Sequence, residues 1–190
     1  MLRKKKSAIL FATISLIFAS LACTMNIGGP DYPERVIPVS QQAIDSIKAQ
    51  FEIALEAGIT GENIILTITE PQITSILAFK LENQNNPLFT EPQVFLQDGQ
   101  MQIYGQATQG FFVANINVMV NVGIDGEGQP DIHIASADFG PFPVPESLSS
   151  ALSAIIKEAY TGAIGPVATG FRIEKIGIRD GLMVMAGKVK

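Results

Sequence analysis

The sequence contains a single cysteine, Cys23, and a single histidine, His133. One cysteine cannot form a disulfide within the chain, so no internal covalent cross-link stabilises the fold. Structural zinc sites are built from clustered cysteine and histidine side chains, and this sequence has no such cluster. The scarcity of both residues also removes many of the side chains on which nucleophilic and metal-assisted catalysis depend.

His133 lies between Ile132 and Ile134 in an alternating stretch, which places it on the polar face of a predicted strand. A histidine-based triad would have to use His133, and the nearby Ser136 is not in a nucleophile-elbow motif. No glycine-rich phosphate-binding motif follows a predicted strand, and the turn at residues 125–128 lacks the ligand spacing of an EF-hand. We therefore expect no enzymatic activity, no metal site and no cofactor.

Charged residues make up only 16% of the chain, and residues 1–22 contain cations but no acid. Four of the 13 Lys/Arg residues lie there, so removal of residues 1–22 leaves 9 cations against 18 acids, a net charge of −9. A surface this acidic disfavours nucleic acid, because nucleic-acid binding depends on cationic contacts to phosphate. It also disfavours simple electrostatic attachment to anionic lipid, so a membrane contact would need another origin.

Residues 1–22 have the architecture of a lipoprotein signal peptide, in which a basic segment precedes an uncharged apolar run over residues 8–21. That run is shorter than the about 20 apolar residues of a membrane span. Ala22 then precedes Cys23, and residues 20–23 resemble a bacterial lipobox, in which acyl chains are attached at the cysteine. We expect lipidation of Cys23 and export, with the domain anchored to the cell membrane or outer membrane on its extracytoplasmic side. The alternative is an ordinary signal peptide followed by a chance cysteine.

The segment after the signal peptide has the composition of a linker. Residues 23–38 contain Gly28, Gly29 and three prolines with little periodicity. We expect residues 23–38 to provide the lipidated cysteine and a flexible tether that lets the domain stand off the membrane. Residues 39–190 are expected to form one lipid-binding-like domain.

The longest regular pattern is the alternation over residues 110–124. Every even position from Phe112 to Ile124 is apolar, whereas the odd positions include Asn115, Asn117 and Asn121. A period of two over this length predicts a β-strand with one buried face, longer than the usual 5–6 residues. We expect the even face to be covered and the three asparagines to face solvent.

Shorter patterns on both sides of this strand predict the rest of the fold. Apolar stripes at helical spacing follow Ser40, Thr69 and Pro145. Alternation predicts strands near residues 63–69, 93–96, 101–105, 131–136, 171–179 and 182–189. The order of elements favours an α+β fold, in which a strongly curved antiparallel sheet (a meander plus a C-terminal hairpin) is wrapped around amphipathic helices.

Three local signals fix positions within these elements. Thr69 and Gln72 have the spacing of a capping box at a helix start. Asp-Gly pairs at residues 98–99 and 180–181 predict tight hairpin turns. A change of apolar phase near Glu174 predicts a β-bulge in the last hairpin.

The run Leu-Thr-Ile-Thr-Glu-Pro-Gln-Ile at residues 66–73 leads from a strand into a helix. Together with the proline-rich residues 139–145 and the hairpin around residues 176–182, it resembles small single-unit bacterial lipoproteins of the tubular lipid-binding (TULIP) superfamily, YceB-like and LmeA-like. The resemblance covers about residues 39–189. It implies a half-TULIP-like fold, with a highly curved sheet around a long helix and an apolar groove for acyl chains, and it brings no catalytic residue.

We therefore expect a non-catalytic, membrane-anchored cell-envelope lipoprotein that binds lipid or another apolar small molecule in a hydrophobic groove. The expected lining comes from the long strand and from two helices: Phe112, Ile116, Val118, Val120, Ile73, Ile76, Leu77, Leu152, Ile155 and Ile156. A groove lining and a closed core have the same composition and periodicity. The alternative is thus an anchored structural or protein-interaction module with a closed core and no ligand.

Overall fold

The computed structural model describes residues 25–59, 63–83, 89–109, 111–140, 150, 153–154 and 171–189. The fold is α+β, as predicted. The elements in chain order are β1 (Met25–Asn26), α1 (Gln41–Ile59), β2 (Ile64–Thr69), α2 (Glu70–Glu82), β3 (Phe89–Gln97), β4 (Gln100–Gln109), β5 (Phe112–Ile124), β6 (Pro130–Asp138), β7 (Phe171–Arg179) and β8 (Leu182–Val189). The signal peptide, Cys23 and most of the helix predicted after Pro145 lie outside the described residues.

The strands form two sheets. Strands β3 to β6 pair as the predicted meander and curl strongly into a half-barrel, which we call the curled sheet. β1 and β6 share one edge of β5, and β1 runs parallel to β5, so the curled sheet is mixed. The prediction of a single sheet for meander and hairpin is wrong, because β8 pairs with β2 and gives a separate antiparallel sheet of order β2-β8-β7.

This second sheet is hydrogen-bonded to one end of the half-barrel. The Ile173 N–H donates to the Gly128 carbonyl in the β5–β6 turn at 2.9 Å. At the other end of β7, the Gly181 N–H donates to the Leu96 carbonyl near the β3–β4 turn at 2.8 Å. β7 therefore crosses the end of the curled sheet where these two turns lie.

The predicted turns and bulge are confirmed. In the β3–β4 turn, Asp98 has φ 54° and Gly99 has φ 76°, and the β7–β8 turn has the same pair of positive φ values at residues 180–181. Two central residues with positive φ are typical of type I′ turns, whose twist matches that of the flanking strands. The register of β7 shifts between Ile173 and Lys175, as expected near Glu174.

Helix α2 begins with the predicted capping box and then covers an edge of the curled sheet. Thr69 Oγ1 accepts from the Gln72 N–H, and Gln72 Oε1 accepts from the Thr69 N–H. One turn later, Thr74 Oγ1 accepts from the Val94 N–H of β3 at 3.1 Å. Buried polar side chains of α2 therefore satisfy β3 backbone groups, which would otherwise be costly to bury.

Residues 25–40 lie along the curled sheet, in contrast to the flexible tether expected from their glycines and prolines. The Met25 N–H donates to the Phe111 carbonyl at 2.8 Å, and the Asn115 N–H donates to the Gly28 carbonyl at 2.9 Å. Gly29 has φ +121°, and a Cβ there would lie 2.1 Å from the Asn115 carbonyl oxygen. Gly29 thus serves close approach to the edge of β5 rather than flexibility.

The same segment then crosses the outer face of the curled sheet. Tyr32 packs edge-on against Tyr104, with ring centroids 6.2 Å apart, and its hydroxyl donates to the Glu91 carbonyl. Ile37 is only 2% exposed, and its N–H donates to Gln93 Oε1 at 2.6 Å. Because of this cover, two of the three asparagines expected to face solvent are partly buried, and only Asn121 is exposed.

Candidate functional site: the inner face of the curled sheet

The inner face of β5 is closed over its central part. Ile116, Val118 and Val120 are all 0% exposed. In the neighbouring strand β4 they pair with Gly105, Ile103 and Met101. Ile103 and Met101 belong to the same core. Buried side chains of the second sheet complete this core: Phe171, Ile173, Ile178, Met183 and Met185. We call Ile116, Val118 and Val120 the closed half of the face.

The same face opens toward the end of β5. Val122 and Ile124 are only partly buried, although they continue the even positions without a break. The register places Ile134 opposite Val120 and Ile132 opposite Val122, so both β6 side chains belong to the inner face. Ile176 of β7 is also partly buried and packs against the same core. We call Val122, Ile124, Ile132, Ile134 and Ile176 the open strip.

The open strip owes its exposure to the position of β6. Strand β6 pairs with β5 on one side, and no other described strand pairs with its second edge. Its register shifts where Met119 faces Ser136 and Val120 faces Ile134, so Ala135 forms a bulge. A bulge bends the strand and redirects the side chains around it. None of the residues of β6 is fully buried, in contrast to the middle of β5.

Charged side chains lie beside one end of the open strip. A cavity of about 580 Å³ is lined by Ile124 of the strip, by Asp125 of the β5–β6 turn and by Arg172, Glu174 and Lys188 of the second sheet. Lys188 Nζ lies 3.3 Å from Glu174 Oε1. An apolar strip that ends at charged groups of both signs can accept a molecule with an apolar chain and a polar end.

The predicted lining residues do not all meet at this strip. Phe112 is 46% exposed and lies at the opposite end of β5. Leu77 is buried in the core, and Ile73 and Ile76 are partly buried. These three belong to α2, which packs on β3, at the edge of the curled sheet farthest from β6.

The remaining predicted residues lie outside the described part of the chain. Leu152, Ile155 and Ile156, the lining residues expected on the third helix, are among them, and so is Cys23. Their roles stay predictions. The residues that sequence reasoning did not select are those of the open strip. The pairing of β5 with β6, which is visible in the shared alternation around Val122 and Ile132, is the signal that points to them.

The most buried carboxylate has a structural explanation. Glu70 is 5% exposed, and its Oε1 accepts from the Leu96 N–H at 2.9 Å. Its Oε2 accepts from Arg35 Nη1 at 2.6 Å, and this hydrogen bond raises the pKa of Arg35. Arg35 also lies over the Phe95 ring, 4.7 Å from its centroid. Both carboxylate oxygens are thus engaged in joining α2, β3 and the N-terminal segment.

His133 lies on the outer, polar side of β6. Its side chain is 71% exposed, and its Nε2 lies 2.7 Å from Asp131 Oδ2. Within the described residues, no group of three or more His, Cys, Asp or Glu side chains is arranged to hold a metal ion. None of the helices in the described part of the chain is both long and apolar enough to cross a membrane.

Comparisons with known proteins do not narrow the function. No protein-family model matches the sequence, and no curated protein matches it. The functional argument therefore depends on the chain itself, above all on the contrast between the closed half and the open strip.

Proposed function

We propose that this protein is an exported, lipid-anchored protein of the cell envelope that holds the apolar part of a lipid against the open strip. One observation carries the proposal. The inner face of β5 is fully buried from Ile116 to Val120 but only partly buried at Val122 and Ile124. A partly uncovered apolar surface inside a curled sheet is the kind of site that binds apolar ligands.

The free energy of association sets the kind of ligand. Association costs on the order of 4–15 kcal/mol, and each buried CH₂ group returns about 0.8 kcal/mol. About ten methylenes, or about 8 kcal/mol, are therefore needed before binding becomes appreciable. A single acyl chain supplies this number, and its polar end would emerge beside Ile124 at the cavity lined by Asp125, Arg172, Glu174 and Lys188.

The anchor is the second part of the proposal. The signal-peptide pattern ends at Ala22, and acyl chains on Cys23 would hold the protein at the membrane. A Cys23→Ser exchange should release the protein from the membrane fraction into the soluble exported fraction. Unchanged membrane association of this variant would count against lipidation at Cys23.

The lipid-binding part is tested on the released Cys23→Ser protein, which carries no acyl chain of its own. We expect lipid to co-purify and to be found by native mass spectrometry and by solvent extraction. We also expect saturable uptake of a fluorescent fatty-acyl probe. A lipid-free protein that takes up no probe would overturn this part of the proposal.

A second function is favoured by the outer face of the second sheet. There Ile65 is 67% exposed, and Leu182 and Val184 are each 39% exposed. The register of β2 with β8 places these side chains on one face. Such a patch fits an anchored module that meets a protein partner. In that case solubilised membranes should contain a complex larger than the monomer, and the Ile65→Lys and Val184→Lys exchanges should dissociate it.

A further inference from the structure

One end of the half-barrel carries exposed apolar side chains on two stretches of the sequence that contain no charged residue. Phe111, in the β4–β5 turn, is 69% exposed, and Phe112, the first residue of β5, is 46% exposed. Met25, which is 61% exposed, pairs with Phe112 through the short parallel strand β1. Three large apolar side chains are thus held together at this end, which we call the apolar end. Aromatic side chains that remain exposed in a group mark surfaces that contact other molecules or membranes.

The two stretches of sequence that meet at the apolar end contain no charged residue. None occurs between Lys6 and Asp31, and none occurs between Asp98 and Asp125, a stretch that includes all of β4 and β5. This contrasts with the acidic composition of the rest of the protein. Moving charge from water into or against a bilayer is costly, so the end at which these two uncharged stretches meet is the part of the described structure best able to approach lipid.

Acidic residues lie in the turns at the opposite end of the half-barrel. In an antiparallel meander successive turns alternate between the two ends, so the β3–β4 and β5–β6 turns lie opposite the β4–β5 turn. They contain Asp98, Asp125 and Glu127, and the β7–β8 turn beside Leu96 adds Asp180. Thirteen residues of β5 separate the ends, or about 40 Å of extended strand, which is several Debye lengths at physiological salt.

The chain enters the described structure at the apolar end. Met25 follows Cys23 by two residues, and two residues of extended chain span at most about 7 Å. Acyl chains on Cys23 would therefore leave the protein beside Phe111 and Phe112. Hydrogen bonds from Met25 and Ile27 to the Phe111 and Val113 carbonyls fix this exit point on the curled sheet.

We propose that the apolar end is the surface that contacts the bilayer to which Cys23 is anchored. Met25, Phe111 and Phe112 enter the interfacial region, and the half-barrel stands with its acidic turns pointing away from the membrane. This inference depends on the anchor given under the proposed function, but it does not depend on lipid binding at the open strip. It differs from the expectation, drawn from the sequence, that a flexible tether holds the domain away from the membrane.

The absence of tryptophan from the sequence allows a direct test. The full chain is produced in a bacterium that lipidates exported cysteines, with Phe111→Trp as the test variant and Leu182→Trp as the matched control. Leu182 is also an exposed apolar residue, but it lies beside the acidic β7–β8 turn. Each protein is reconstituted into phosphatidylcholine vesicles that contain brominated lipid, which quenches tryptophan emission on contact.

We expect strong quenching and a blue-shifted emission for Phe111→Trp, and emission typical of water with little quenching for Leu182→Trp. Met25→Trp provides a second probe of the apolar end if the first variant folds poorly. Equal quenching at both ends, or stronger quenching of Leu182→Trp, would overturn the proposed orientation while leaving the anchor intact. A chain that does not enter the membrane fraction at all would overturn the anchor, and with it the proposed contact between the apolar end and the bilayer.

Discussion

From Ile116 to Val120 the inner face of β5 is fully buried, whereas from Val122 to Ile124 the same face is partly exposed. The chemical character of the two halves is identical, since both alternate apolar residues at the even positions. The difference lies in what faces them. The closed half pairs with β4 and packs against the second sheet, whereas Val122 and Ile124 extend past the last β4 pair, Met101 with Val120, and pair only with the edge strand β6 among the described strands. A strand pattern thus fixes which side is apolar, and the neighbouring elements decide whether that side is core or site.

The largest expected difference between the two halves is in the cost of removing a side chain. Ile116→Ala should lower the free energy of unfolding by about 3 kcal/mol, because a cavity is left in a fully closed core. Ile134→Ala, in the open strip, should cost about 1 kcal/mol, because water or ligand can reach the vacated space. Urea denaturation measures both values. Equal costs would remove the distinction between a closed and an open half.

Two glycines of the curled sheet compare a crowded position with an open one. A Cβ at Gly105, opposite Ile116, would lie 2.3 Å from the Phe89 ring and 2.8 Å from the Thr90 carbonyl oxygen. Gly105→Ala should therefore destabilise the protein by about 2 kcal/mol through overpacking. A Cβ at Gly123, beside the open strip, has only the Asp131 carbonyl oxygen within 4 Å, at 3.8 Å. Gly123→Ala should be within about 0.5 kcal/mol of the parent in thermal unfolding.

The exchange Glu70→Ala tests how helix α2 covers the edge strand β3. This exchange removes the acceptor of the buried Leu96 N–H, and an unsatisfied buried donor costs about 2 kcal/mol. Arg35→Ala is the control, since the Arg35 side chain is 62% exposed and water can replace its contact with the Glu70 carboxylate. Its loss should cost less than 1 kcal/mol. A larger effect for Arg35→Ala would mean that the ion pair, rather than the backbone cap, holds α2 on the sheet.

The smallest expected effect is a loss of folding stability at alkaline pH. Burial, followed by the negative charge of Glu91, raises the pKa of Tyr32 to about 12. The folded protein then keeps the phenol proton where the unfolded chain loses it. The stabilisation is complete below pH 10 and is lost as the pH rises from 10 to 12. The phenol is about half exposed, so the loss should be at most about 1 kcal/mol.

Tyr32→Phe keeps the ring contact with Tyr104 and removes the titration. The difference in stability between the parent and Tyr32→Phe, measured by urea denaturation at pH 9, 10, 11 and 12, should therefore narrow as the pH rises. A constant difference across this range would show that the phenol is not protected in the fold and that residues 25–38 are more loosely held than the structure indicates.

The elements that sequence reasoning predicted correctly depend on local physics. The capping box at Thr69 and the turn at Asp98 and Gly99 are set by hydrogen bonds and φ values within a few residues. The alternation over β5 is long enough to exclude a helix. The pairing of β2 with β8 joins residues more than a hundred positions apart, and no local pattern specifies it.

Two further features could not be predicted from the sequence, and the reason is physical. Gly28, Gly29 and Pro30 have the composition of a linker, yet in the folded chain the Asn115 N–H of β5 donates to the Gly28 carbonyl and the Asn115 side-chain amide donates to the Pro30 carbonyl. Likewise, Val120 and Val122 have the same residue type and phase, but only one of them is covered. Cover is a property of tertiary structure, so the location of the open strip within the apolar face had to come from the structure.

The most direct test of the central claim compares two neighbouring residues of β6 in the Cys23→Ser protein. Ile134 belongs to the open strip, and His133 lies on the opposite, exposed side of the same strand. A fluorescent fatty-acyl probe is titrated into the parent, Ile134→Asn and His133→Asn proteins, each checked for cooperative unfolding. Loss of one buried apolar contact should weaken binding at least about tenfold for Ile134→Asn, with no change for His133→Asn. Equal affinity of both variants, or no saturable uptake by the parent, would contradict the account.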